Sequence, residues 1–279
     1  MSEQKYKKIN QLEKDLPEGL LVDAAWMERN GYYGSLRSRY LNADWLEQPA
    51  RGVYRRRRGS LSWEQVVISL QTLMQFPVSV GGRTALETQG YAHYLSHRQQ
   101  TIHLYADQKL PGWLGKLPVE QKFKSHNRTR FLPPIPDYTD QLDLSPDRSD
   151  AVEKTLPGAL RLTPWGTWKW PLVMSTPERA FLELLDELPK NETFDHADAL
   201  MEGLSSLSPR RLQKLLEEAS SIKVKRLFFF FADRHRHRWL SHLDKSAIDL
   251  GKGKRMLVKG GKLDPVYNIT VPEALHGLQ

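Results

Sequence analysis

Residues 19–58 read GLLVDAAWMERNGYYGSLRSRYLNADWLEQPARGVYRRRR, and the rest of the chain is read outward from them. Leu21, Val22, Ala25, Trp26 and Met27 recur at helical spacing, and Gly31 follows where a helix would stop. This predicts a first helix over 21–30. Gly34 breaks the chain before a second segment, 35–42, with Ser35 as the expected N-cap. The period then changes to an extended one: Trp45 and Leu46, a turn cluster from Pro49 to Gly52, then Val53 and Tyr54. Two helices followed by a two-stranded wing make a winged helix-turn-helix, and the run Arg55, Arg56, Arg57, Arg58 leaves the second wing strand, where phosphates would lie.

Wound at about 100° per residue, the second helix turns Tyr33, Leu36, Tyr40 and Leu41 inward and Ser35, Ser38, Arg39 and Asn42 outward. Arg and Asn match guanine and adenine edges in the major groove, while Ser reads weakly or holds a phosphate. Arg37 falls toward the inward arc and ranks last among the candidates. Arg51, at the wing turn, and Arg55 to Arg58 are the expected phosphate contacts. A small helical domain with a solvated polar face would explain any one of these residues. The helix pair, the wing and the arginine run in that order favour DNA binding.

The 279 residues carry a formal charge of +8, which suits a polyanionic partner, and 39% hydrophobic content, enough for a core. Without cysteine, the chain has no disulfide, no thiolate metal site and no Cys nucleophile. The N-terminal MSEQKYKKINQLEK has no apolar export core and the longest apolar run, 227–232, is far short of a bilayer span, so a cytoplasmic protein with no membrane partner is expected.

Helices are predicted over 5–16, over 63–74 with Ser62 as cap, over 83–95, over 177–188 behind Thr176, over 194–204 and 208–219, and over 223–239. VSV before Gly81 and TIHLYA read as strands, and 255–271 as two strands joined by a Gly-rich turn. The Pro-rich stretch from Lys109 onward suggests a division near 144–157.

The run Arg234 to Arg238 is better read as a charged helix end than as a metal site, because His235 and His237 would diverge on a helix. GKGKR at 251–255 lacks the spacing of a P-loop and reads as a basic surface turn. Asp186, Glu187, Asp195, Asp198, Asp244 and Asp249 form no pattern around a reaction centre. Trp165, Trp168 and Trp170 read as packing residues, with a partner-binding patch as the alternative. No catalytic residue, metal site or cofactor is expected.

DWLEQPARGVYRRRRGSLSWEQVVISLQ at 44–71, SVGGRTALETQGYAHYL, STPERAFLELLDELP, KVKRLFFFFADRH, DLGKGKRMLVKGG and YNITVP together resemble the AbiEi family of AbiE-type antitoxins over nearly the whole chain. Asp44 stands where such wings often have Gly. The resemblance implies an N-terminal domain that represses its own operon at inverted repeats in promoter DNA, and a larger domain that counteracts a co-encoded AbiEii-like nucleotidyltransferase toxin. The expected fold is mixed α/β: a winged helix-turn-helix over 1–59 and an α/β antitoxin effector domain over 60–279, with a lobe boundary near 144–157. The expected function is a non-enzymatic antitoxin and autorepressor, with RNA as a further partner suggested by charge. The alternatives are a ligand-responsive transcriptional regulator and a nucleic-acid-processing enzyme using the scattered carboxylates.

Overall fold

The computed structural model describes residues 2–57, 59–91, 100–144 and 153–276. Helix α1 (Ser2–Asp15) buries Ile9 and Leu12, with Leu16 just beyond it, as their spacing predicts. The helix expected over 21–30 divides in two. Leu20, Leu21 and Val22 are wholly buried, and an unbroken apolar run suits a covered strand, β1 (Leu21–Asp23). The Asp23 carboxylate then accepts from Trp26 N at 2.7 Å and starts α2 (Ala24–Arg29).

Helix α3 (Gly34–Asn42) begins one residue before Ser35, so its N-cap is Tyr33, which offers no capping side-chain bond. Beyond it Asp44 adopts φ +56°, the left-handed conformation that glycine takes freely and Asp tolerates, and Trp45 N returns to Tyr40 O at 2.9 Å. The turn thus closes with Asp in a conformation that glycine takes freely. Strands β2 (Glu47–Ala50) and β3 (Val53–Arg55) form the wing, and β1 pairs with the other edge of β3. At the wing tip Gly52 accepts from Ala24 N at 2.8 Å, tying the wing to the start of α2.

Helix α4 (Trp63–Gln71) carries the predicted start signal as a full capping box: Gln65 N donates to Ser62 Oγ at 3.4 Å and Ser62 N to Gln65 Oε1 at 3.0 Å. Its Ser69 Oγ accepts from Leu21 N at 2.9 Å, so it packs on the winged unit. Next come β4 (Val78–Val80), α5 (Gly82–Thr88), β5 (Thr101–Ala106) and β6 (Lys122–Asn127). The helix expected over 83–95 stops early because Gly90 turns at φ +86°; residues 92–95 lie outside the described residues. Strands β7 (Lys154–Leu156), β8 (Leu160–Trp165) and β9 (Trp170–Ser175) complete a six-stranded sheet of order β6-β5-β4-β9-β8-β7. The β4–β9 and β5–β6 pairs are parallel and the others antiparallel. Strands from before residue 144 and after residue 157 share this sheet through β4–β9.

Helix α6 (Pro177–Glu187) starts at Thr176 with the right backbone but without a side-chain cap bond. Helices α7 (Phe194–Gly203) and α8 (Pro209–Glu218) are capped by Thr193 and Ser208. Helix α9 (Ile222–His235) buries every residue from Val224 to Ala232, with Phe228 and Phe231 edge-on to Phe181 of α6. It ends four residues before the expected Trp239, because Arg236 turns left-handed at φ +49°; Trp239 is buried separately and donates to Leu204 O at 2.8 Å. Strands β10 (Lys262–Asp264) and β11 (Ile269–Val271) pair as predicted, but the turn between them is 265–268, with Asn268 at φ +54°, and the glycines 260 and 261 precede β10. One continuous apolar cluster joins Leu12, Leu21 and Val53 of the head to Leu70, Leu172, Phe181 and Phe228.

Candidate nucleic-acid interface

On α3 the sequence places polar side chains on one face, and Ser35, Ser38, Arg39 and Asn42 are all exposed, while Tyr40 is buried. Packing separates the arginines that the sequence leaves equivalent. Arg37 is held from the inner side: both its terminal nitrogens lie 3.2 Å from Glu28 Oε1, Nη1 also donates to Tyr32 O at 3.2 Å, and its guanidinium lies 5.5 Å from the Tyr54 ring centre. It braces α3 against α2 and the wing.

Arg55, expected as a phosphate contact, is instead among the most buried side chains. All three residues of β3 are buried, and Arg55 pairs with Glu47 at 2.5 Å across the wing and donates to Gly59 O at 2.6 Å. Arg56 reaches back to the first helix, pairing with Glu13 at 3.3 Å and Glu18 at 3.2 Å and donating to the Glu13 and Leu16 carbonyls. Arg57 is 74% exposed, with Glu47 only at 3.9 Å, and Arg51 is exposed at the wing turn. Arg58 lies outside the described residues. Among the described residues, Arg39 and Arg51 form no ion pair and Arg57 keeps only the long contact to Glu47.

Two aromatic residues join them. Tyr33 is 65% exposed although the helical wheel turns it inward, because as N-cap it precedes the helix and the 100° rotation does not reach it. Trp45, 43% exposed, flanks the other end of α3. The missed signal was the Gly34 start, which moves Tyr33 out of the wheel.

Elsewhere the carboxylates serve the fold. Asp186 pairs with Lys223 and Arg130, Asp198 takes Arg234 and His235, and Asp244 and Asp249 accept backbone amides from Ser246 and Gly251. His235 and His237 do not diverge: with the helix ended at His235, their rings stack 6.1 Å apart, yet they point to Asp198 and to Met201 O. Across β5, β6 and α6, Glu187 lies 3.1 Å from His126 Nδ1, and His126 Nε2 lies 3.0 Å from His103 Nδ1. Burial, with the neighbouring His126 and Lys124, lowers His103 to about 4, so it is neutral near pH 7. Burial opposes the charge on Glu187, but hydrogen bonds and charge from His126 and Lys124 outweigh it and hold the carboxyl well below its usual range. This chain staples two strands to a helix. No group of three or more His, Asp or Glu able to hold a metal ion occurs among the described residues.

A family model described as transcriptional regulator, AbiEi antitoxin, type IV TA system matches residues 99–272, and one described as the AbiEi antitoxin N-terminal domain matches 5–97. The chain belongs to the AbiEi family. Its members are described as transcriptional regulators and antitoxins, and the N-terminal match takes in the whole winged unit together with α4 and α5. No curated protein matches. The crystal structure of RV2827C protein from Mycobacterium tuberculosis is similar in fold, with a TM-score of 0.54 at 16% identity over 94% of this chain and 89% of that one. Among the described residues no helix is long and apolar enough to cross a membrane.

Proposed function

We propose that this AbiEi-family chain represses its own operon by seating α3 in the major groove of inverted repeats in the promoter, and that its larger part counteracts a co-encoded nucleotidyltransferase toxin. The observation that carries the DNA reading is the exposed set Ser35, Ser38, Arg39 and Asn42 on one face of α3. Arg39 and Asn42 supply base-edge contacts, the serines and Arg51 and Arg57 supply phosphate contacts, and Tyr33 packs on the backbone where α3 begins. Arg37, Arg55 and Arg56 support the unit from inside. Arg39→Ala should lower affinity for the operator by about tenfold or more and affinity for random duplex far less, since a base contact contributes about 1–3 kcal/mol of discrimination. Equal losses on both duplexes in a band-shift titration would remove Arg39 from base reading.

The antitoxin role rests on the family alone. Co-expression of the neighbouring toxin with the intact chain tests it, and growth arrest despite soluble antitoxin would count against it.

A further inference from the structure

Once ion pairs are assigned, the wing keeps fewer free cations than its sequence suggests, and a second basic segment keeps more. In the loop that leads into β10, Lys252, Lys254, Arg255 and Lys259 are all exposed, and none forms an ion pair among the described residues. The carboxylates on either side are turned to the backbone: Asp249 accepts from Gly251 N and Asp264 from Tyr267 N, each at 2.7 Å. Four like charges in one loop repel one another and favour spreading it out.

The fold opposes that spreading from beneath. Arg226 of α9 is buried, and it donates to Leu250 O at 2.6 Å, Gly253 O at 2.7 Å and Asn268 O at 3.3 Å. Gly251 and Gly253 supply the left-handed turns, at φ +63° and +80°, that point those carbonyls inward. Arg255 is clamped on its main chain, its N donating to Asn268 O at 2.8 Å and its O accepting from Thr270 N at 3.0 Å. The basic side chains are thus displayed from a fixed backbone, which reduces the ordering cost of meeting a chain of phosphates. Between them Met256 stands 76% exposed. On a duplex, whose base faces are stacked inside, an apolar side chain among phosphate-binding cations must unstack a step or settle for a thymine methyl, whereas an unstacked base offers it a free face.

We propose that the loop 251–260 binds an unpaired polynucleotide strand, with its four cations on the phosphates and Met256 against a base, as a nucleic-acid surface separate from the winged unit. The full-length protein is titrated by fluorescence anisotropy with a 12-nucleotide RNA, the DNA strand of the same sequence, and the corresponding duplex. Lys252→Ala, Lys254→Ala, Arg255→Ala and Lys259→Ala combined should weaken single-strand binding at least about tenfold and make its salt slope shallower by about 2–3. Met256→Ala should weaken it several-fold with the slope unchanged. Operator affinity, retained in both variants, reports that the fold is intact and the wing undisturbed. Loss on RNA alone identifies RNA as the natural strand, and loss on both single strands leaves the unpaired backbone as the ligand; either supports the proposal. Wild-type affinity for single strands in the combined variant, or a loss on the duplex as large as on the single strands, overturns it.

Discussion

At the scale of single residues, the run Arg55 to Arg57 shows how neighbours of one chemistry acquire different work. Arg55, the last residue of β3, is buried in the head against Glu47, whereas beyond the strand Arg56 meets two glutamates of the opening segment and Arg57 stays in water. Arg55→Ala should therefore act on stability. It strands Glu47, itself partly exposed, and frees Gly59 O, at a cost of about 2 kcal/mol. Arg57→Ala should leave stability within about 0.5 kcal/mol and lower affinity for any duplex. Urea denaturation of the two variants beside a DNA titration checks this; Arg55→Ala unfolding at the wild-type midpoint would mean the buried pair contributes nothing.

At the scale of elements, the start of α5 is where strand, helix and buried charge converge. Glu183 of α6 accepts from Gly82 N at 2.9 Å, Ser175 Oγ at 2.9 Å and Arg179 Nε at 2.7 Å. Gly81 is extended, so its backbone needs no glycine, but a Cβ there would press into Glu183 Oε2 and the Tyr105 ring. Space decides this position. Gly81→Ala should cost about 1–3 kcal/mol by overpacking a buried ion pair that cannot give way. Chemical denaturation reads this directly, and a loss below about 0.5 kcal/mol would mean that β5 and α6 yield together.

At the scale of the whole molecule, the head and the larger part share one core. Leu21 N meets Ser69 Oγ, α4 lies between β1 and β9, and the buried cluster runs from Leu12 to Phe228 without a break at residue 60. A chain starting at residue 60 would open the face of α4 that covers β1. We expect it to lose about 3 kcal/mol and melt on the order of 10 °C below the intact protein. Calorimetry of the two chains measures it, and equal melting temperatures would show that the two parts fold independently.

Local chemistry was legible without the fold. The capping box at Ser62, the strand TIHLYA, the helix behind Pro177, the wing turn at Gly52 and the outward face of α3 all follow from period, caps and turn residues, which act within a few positions. The family was legible too, because the segments that resemble it are spread over nearly the whole chain, as are the two family matches. What the tertiary structure alone decided depends on partners far apart in sequence. The run Leu20 to Val22 became a strand because β3 lay ready to pair with it, although its spacing also fits a helix. Arg55 and Arg56 were drawn inward by Glu47, Glu13 and Glu18, and Arg226 was placed under a basic loop that begins more than twenty residues later. Charge in a sequence gives the total; which charges remain free for a partner is fixed only when the fold brings the carboxylates to some of them and leaves the others in water.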